Sequence, residues 1–157
     1  MNASIFDLNQ FGILVRIVAA MLLGALIGLD RELASKPAGL RTHMLVAGSA
    51  ALLVALGGIV MEFFTQQTSD RLLQSDPVRI IEAVITGVSF LGAGTIIRNR
   101  SEGDVEGLTT AASLLFAAAV GIGVALAQWV LAAGSTVLVL LILRVISPLE
   151  WRLLKKK

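Results

Sequence analysis

From Leu108 to Leu143 the chain carries not one charged side chain. That run is too long for a single crossing of a bilayer, whose hydrocarbon core takes about 20 helical residues. The chain is therefore expected to turn back within it, and the turn is placed near Gln128 and Trp129, with spans over 108–127 and 129–146. Composition points the same way: 56% of residues are hydrophobic, 15% are charged, and there is no Tyr. So few polar side chains could hardly wet a globule of 157 residues, and a mean hydropathy of +0.86 is far above that of a soluble domain. The expected fold class is all-α, a polytopic membrane helix bundle forming a single transmembrane domain.

Three more spans precede these two. Residues 11–29 are interrupted only by Arg16. Residues 44–64 follow Thr42, a candidate helix cap, and residues 78–97 follow Asp76 and Pro77, a cap residue with proline at the first helical position. The charged, Gly-punctuated segment 98–107 reads as a loop, after which Thr109 or Thr110 is a candidate cap for the fourth span. Gly24 and Gly28 form a G-x-x-x-G pattern, and Ala117, Gly121 and Ala125 recur every four residues in span four. Both patterns suit tight helix packing, between helices of one chain or between two copies, and they favour a homodimer. Chance matches in a chain with fifteen glycines are an equal alternative for the first of them. Gly92 and Gly94, in FLGAG, mark close packing or a local helix break. The amino-terminal residues 1–10 contain Asp7 and no Lys or Arg, so they lack the basic region of a cleavable signal peptide.

Five spans put the termini on opposite sides. Arg31, Lys36, Arg41, Arg98, Arg100, Arg144, Arg152 and Lys155 to Lys157 fall on one side, against Arg71 on the other and Arg79 just inside span three. The positive-inside rule then places the amino terminus outside and the carboxyl terminus in the cytoplasm. The ending WRLLKKK reads as an interfacial Trp with a basic tail facing anionic lipid.

With that topology, Arg16 and Glu82 each lie roughly 7 Å inside the outer end of their spans. Arg79 is three residues from Glu82, so the expectation is an intramembrane charged cluster of Arg16, Arg79 and Glu82. It serves either as a static ion pair fixing helix register or as an ion or proton path with Glu82 titrating. One carboxylate beside two cations is a poor magnesium site, because Mg²⁺ takes several oxygen ligands.

At the cytoplasmic end, residues 29–45 concentrate Asp30, Arg31, Glu32, Lys36, Arg41 and His43 between two apolar runs. Asp30, Arg31 and Glu32 either neutralise one another at a solvated helix end or present Asp30 and Glu32 to a partner or a hydrated Mg²⁺, with Arg41 holding the loop. His43 is either structural or a pH-responsive group, its ordinary pKa lying near 6.5. No cysteine is present, which removes thiolate metal sites, and His43 is the only histidine, which argues against a multi-histidine centre within one protomer. No nucleotide-binding loop and no nucleophile–base pair appears, so no enzymatic activity and no cofactor beyond Mg²⁺ are expected. Basic residues spread through short loops also argue against nucleic acid.

The segments LIGLDRELASKPAGLRTHMLV, DPVRI, GVSFLGAGTIIR and VEGLTTAASL, in this order, closely resemble the membrane domain of the MgtC/SapB family. That resemblance implies a bacterial inner-membrane protein of about five spans linked to growth in low magnesium and, in pathogens, to survival inside macrophages. It implies regulation of other inner-membrane proteins, the ATP synthase among them, with a small Mg²⁺ or proton transporter as the alternative. The family's acidic residue at the end of span one corresponds to Asp30. Glu32, Arg41, Thr42, Arg79, Gly92, Gly94, Thr109 and Thr110 are the other matching positions. Two departures stand out: virulence-associated members carry a soluble carboxyl-terminal domain after the last span, and many relatives have Trp where this chain has Leu115. The chain is accordingly expected to represent the membrane domain alone.

Overall fold

A computed structural model describes residues 3–67, 76–98 and 105–146. Its order is α1 (Ala3–Leu33), α2 (Leu40–Gln67), α3 (Pro77–Ala93), β1 (Ile97–Arg98), β2 (Val105–Glu106), α4 (Leu108–Ala125) and α5 (Trp129–Leu141), with a π-helical turn over Ile142–Ile146. The segments 68–75 and 99–104 and the basic tail 151–157 lie outside the described residues.

The helices stop where backbone chemistry stops them. At the end of α1, Ser35 adopts a left-handed conformation (φ 54°), its N–H donates to Glu32 O at 3.0 Å, and Lys36 N–H donates to Arg31 O at 3.0 Å. That pair of bonds is a Schellman closure, and Pro37 then prevents continuation. α4 ends the same way: Ala127 is left-handed (φ 58°), its N–H donates to Val124 O, and Gln128 N–H donates to Gly123 O at 2.8 Å. The turn splits the uncharged run immediately before Trp129.

Helix starts follow the sequence at one position and depart from it at two. Asp76 Oδ1 accepts from Val78 N–H at 3.0 Å, with Pro77 in the first turn of α3. Thr42, by contrast, lies inside α2, which begins at Leu40; the exposed amide there is satisfied by Glu32 Oε2 at 2.7 Å. Neither Thr109 nor Thr110 caps α4. Gly107 occupies that position at φ 90°, and a Cβ there would collide with Thr95 O. The expected loop 98–107 also has its ends zipped, Ile97 opposite Glu106 and Arg98 opposite Val105 in a short antiparallel ladder.

α4 is central, packing against α1, α2, α3 and α5, and α3 lies on α2 and α4. The interior is built from small side chains: Ala20, Ala47, Ala50, Ala51, Ala117 and Ala118 are essentially inaccessible. Large apolar side chains point outward instead, Phe90 and Val130 being 84% and 86% exposed. Small inside and large outside is what packing requires when the surroundings are as apolar as leucine.

The glycine patterns are spent within the chain. A Cβ on Gly24 would lie 2.6 Å from His43 O, and one on Gly28 would lie 2.8 Å from Gly39 O, so this motif is the α1–α2 crossing. Gly121 faces Ala47 O of α2 in the same way, between buried Ala117 and half-buried Ala125. Gly92 meets Ala111 of α4, whereas Gly94 is exposed, ends α3 and faces only carbonyls of its own helix. The stripes that suggested a second copy are thus covered by neighbouring helices of the same protomer.

Among the described residues three helices are long and apolar enough to cross a membrane: Gln10–Leu33, Leu40–Phe63 and Leu108–Ala125. Trp129–Arg144 is a shorter apolar helix, and α3 has 17 residues.

Candidate functional site

The polar side chains of one end converge where α1, α2 and α4 meet. α1 brings Asp30 and Arg31 in its last turns, and the Gly28 crossing lets α2 approach closely enough to seat His43 against it. His43 is completely buried. Its Nδ1 lies 2.9 Å from Gly39 O and its Nε2 lies 3.0 Å from Ser113 Oγ on α4. A carbonyl only accepts, so Nδ1 carries the proton and donates to Gly39. Ser113 Oγ also lies 2.8 Å from Thr110 O. In a neutral ring, the single hydroxyl proton is therefore shared between two acceptors, Nε2 and Thr110 O. The His43–Ser113 bond spans seventy positions of sequence and stitches α2 to α4 in the core.

Asp30 makes the second stitch. Its Oδ1 accepts from Arg144 Nε at 2.9 Å, tying α1 to the π-helical turn that follows α5. The carboxylate side is 10% exposed and the arginine side 68%, so the pair opens to solvent on one flank. Next to it, Arg31 is 5% exposed, and its buried Nε has no hydrogen-bond partner.

The predicted cytoplasmic set therefore divides. His43 and Thr110 join Ser113 in the buried network, and Asp30 pairs with Arg144. Glu32 serves as a helix cap and packs against Gly39. Arg41 and Thr109 are exposed, and Thr42 is half-buried. Asp30 and Glu32 each already hold a protein donor. Among the described residues no group of three His, Cys, Asp or Glu side chains is placed to hold a metal ion.

The second predicted set is not assembled. Arg16 Nη1 donates to Ala125 O at 3.0 Å, giving the carboxyl-terminal end of α4 a positive charge. Arg79 and Glu82 are exposed on α3, and among the described residues the one ion pair is Asp30–Arg144. The reason is the packing order: α1 and α3 each pack on α2 and α4 but hardly on one another, so a shared depth does not become a contact.

Sequence reasoning missed Ser113, Arg31 and Arg144 as site residues. Ser113 had a signal, since Thr110, Ser113, Ala117 and Gly121 form one continuous small-residue face on α4. Arg144 was visible only as a topology marker, although its depth matches that of Asp30.

The family model of the MgtC family matches residues 17–152. An uncharacterized protein of Haemophilus influenzae is 33% identical over 98% of this chain and 63% of its own length. The putative magnesium transporter YhiD of Escherichia coli K12 is 37% identical over 91% of the chain and 64% of its own. Protein MgtC of Salmonella typhimurium is 38% identical over 83% of the chain and 51% of its own. The chain thus spans between half and two thirds of the length of these relatives. No solved structure matches. A match over residues 17–152, with relatives across nearly the whole chain, makes this chain a member of the MgtC family.

Proposed function

We propose that the chain is the membrane unit of a magnesium-linked regulatory protein, acting by docking to other inner-membrane proteins and not by conducting ions. The observation that carries this reading is the commitment of the two carboxylates at the polar end: Asp30 to Arg144, Glu32 to the start of α2. A magnesium path needs oxygen ligands free to replace hydration water, and cations beside a carboxylate oppose it. Together with the His43–Ser113 bond, the Asp30 and Glu32 bonds fix the relative positions of α1, α2, α4 and the end of α5, which suits a preformed polar platform. The link to magnesium comes from the relatives, one of them named a putative magnesium transporter. The ATP synthase, by family resemblance, is one proposed partner, and a hydrated Mg²⁺ on Asp30 or Glu32 remains a ligand only if the existing bonds open. The proposed orientation has the amino terminus outside and this platform in the cytoplasm, with α3 and α5 completing five crossings of the inner membrane.

Magnesium flux into proteoliposomes tests the reading. Protein-containing vesicles are expected to take up Mg²⁺ no faster than empty ones, while the full chain supports growth in low magnesium. Saturable uptake that disappears in Asp30→Asn would establish the transport reading, which the name of the Escherichia coli relative favours.

A further inference from the structure

Arg31 is a buried cation whose one adjacent counter-charge, Asp30, is already held by Arg144. It is 5% exposed, its Nε is buried and unpartnered, and it lies in the last turn of α1. The acid beside it, Asp30, is held by Arg144 at 2.9 Å and points from the next position along the helix, about 100° away around the axis. From α2 the nearby group is His43, whose two nitrogens are bonded to Gly39 and Ser113. Beyond His43, on α4, lie Ser113 and Thr110, both uncharged. With a neutral His43, Asp30 and Glu32 supply two negative charges at this end against four positive ones from Arg31, Lys36, Arg41 and Arg144, so it keeps a net positive charge.

A guanidinium that has lost its hydration needs an acceptor, and bidentate oxyanions match its fork. The candidate crossing segment of α1 ends at Leu33, two residues beyond Arg31, which sets the guanidinium at the level of the lipid headgroups. Phosphate is the oxyanion concentrated there. We propose that Arg31 is the inner wall of an oxyanion site that takes a phosphate group at the membrane surface. The phosphate comes either from an anionic phospholipid headgroup or from the aqueous phase. This inference uses membrane insertion and not the docking role, so its failure leaves the docking role standing, to be decided by magnesium flux.

The test measures the thermal midpoint of the full chain in three nanodisc samples: phosphatidylcholine alone, phosphatidylcholine with phosphatidylglycerol, and phosphatidylcholine with inorganic phosphate. Phosphatidylcholine carries a zwitterionic phosphate whose charge is balanced within the headgroup, so wild type is expected to gain stability in one or both arms that add a net-anionic phosphate. A gain with phosphatidylglycerol alone assigns the lipid headgroup, and a gain with inorganic phosphate assigns a free anion. Arg31→Gln is expected to match or exceed wild type in phosphatidylcholine alone, because it removes an unpaired buried charge. It is also expected to weaken the anion response about tenfold in concentration. Lys36→Gln removes an exposed charge from the same end and is expected to keep the response within about twofold. Three results would overturn the proposal: no gain in either arm, equal gains in wild type and Arg31→Gln, or a midpoint lowered by Arg31→Gln in all three samples.

Discussion

The two levels of charge in this bundle carry similar residues and behave differently. At one end Asp30, Arg31, His43 and Arg144 are drawn together by α1, α2, α4 and the turn after α5. At the other, Arg16 reaches a helix carbonyl while Arg79 and Glu82 stay exposed on a helix that hardly packs on α1. The difference teaches that which helices touch decides whether charges become a network. Close approach is set by small residues, and the polar end has Gly28 beneath it.

That contrast can be broken most severely at the crossing. Gly28→Val places side-chain atoms against Gly39 and Leu40, and a loss of about 3 kcal/mol or failure to fold is expected in detergent unfolding. Gly87→Val, with open space around it, should leave the midpoint nearly unchanged. Equal effects would mean that the crossing does not organise the polar end. Next in size, His43→Leu removes both bonds of a fully buried ring and leaves the Ser113 hydroxyl only its bond to Thr110 O, for an expected loss of about 2 to 3 kcal/mol. Smaller again is the Asp30–Arg144 pair, whose arginine is largely exposed. A double-mutant cycle with Asp30→Asn and Arg144→Gln should give a coupling of about 1 kcal/mol. The same cycle on Arg16 and Glu82 should give none, and a coupling there would restore the charged cluster expected from depth alone.

Much of the helical arrangement was legible because its signals are local. The uncharged run had to turn, and it turns just before Trp129; Asp76 and Pro77 announce α3 and begin it. The caps of α2 and α4 were not legible as threonines, because Glu32 reaches across from the preceding helix and Gly107 is required by a carbonyl of the preceding turn. Asp30 and His43 were found as an isolated acid and a lone histidine. Their partners Arg144 and Ser113 lie 114 and 70 positions away, and only packing brings them together. The Arg16, Arg79 and Glu82 grouping failed for the converse reason: depth along the membrane normal fixes one coordinate, and contact needs the neighbouring helix as well.

Under the docking reading, function lies at the assembled end and the other level is passive. Growth in limiting magnesium, in a strain that depends on the full chain, compares Asp30→Asn with Glu82→Gln at matched membrane abundance. Growth should fail with Asp30→Asn and remain at the wild-type rate with Glu82→Gln. Loss of growth with Glu82→Gln while Asp30→Asn grows normally would contradict it.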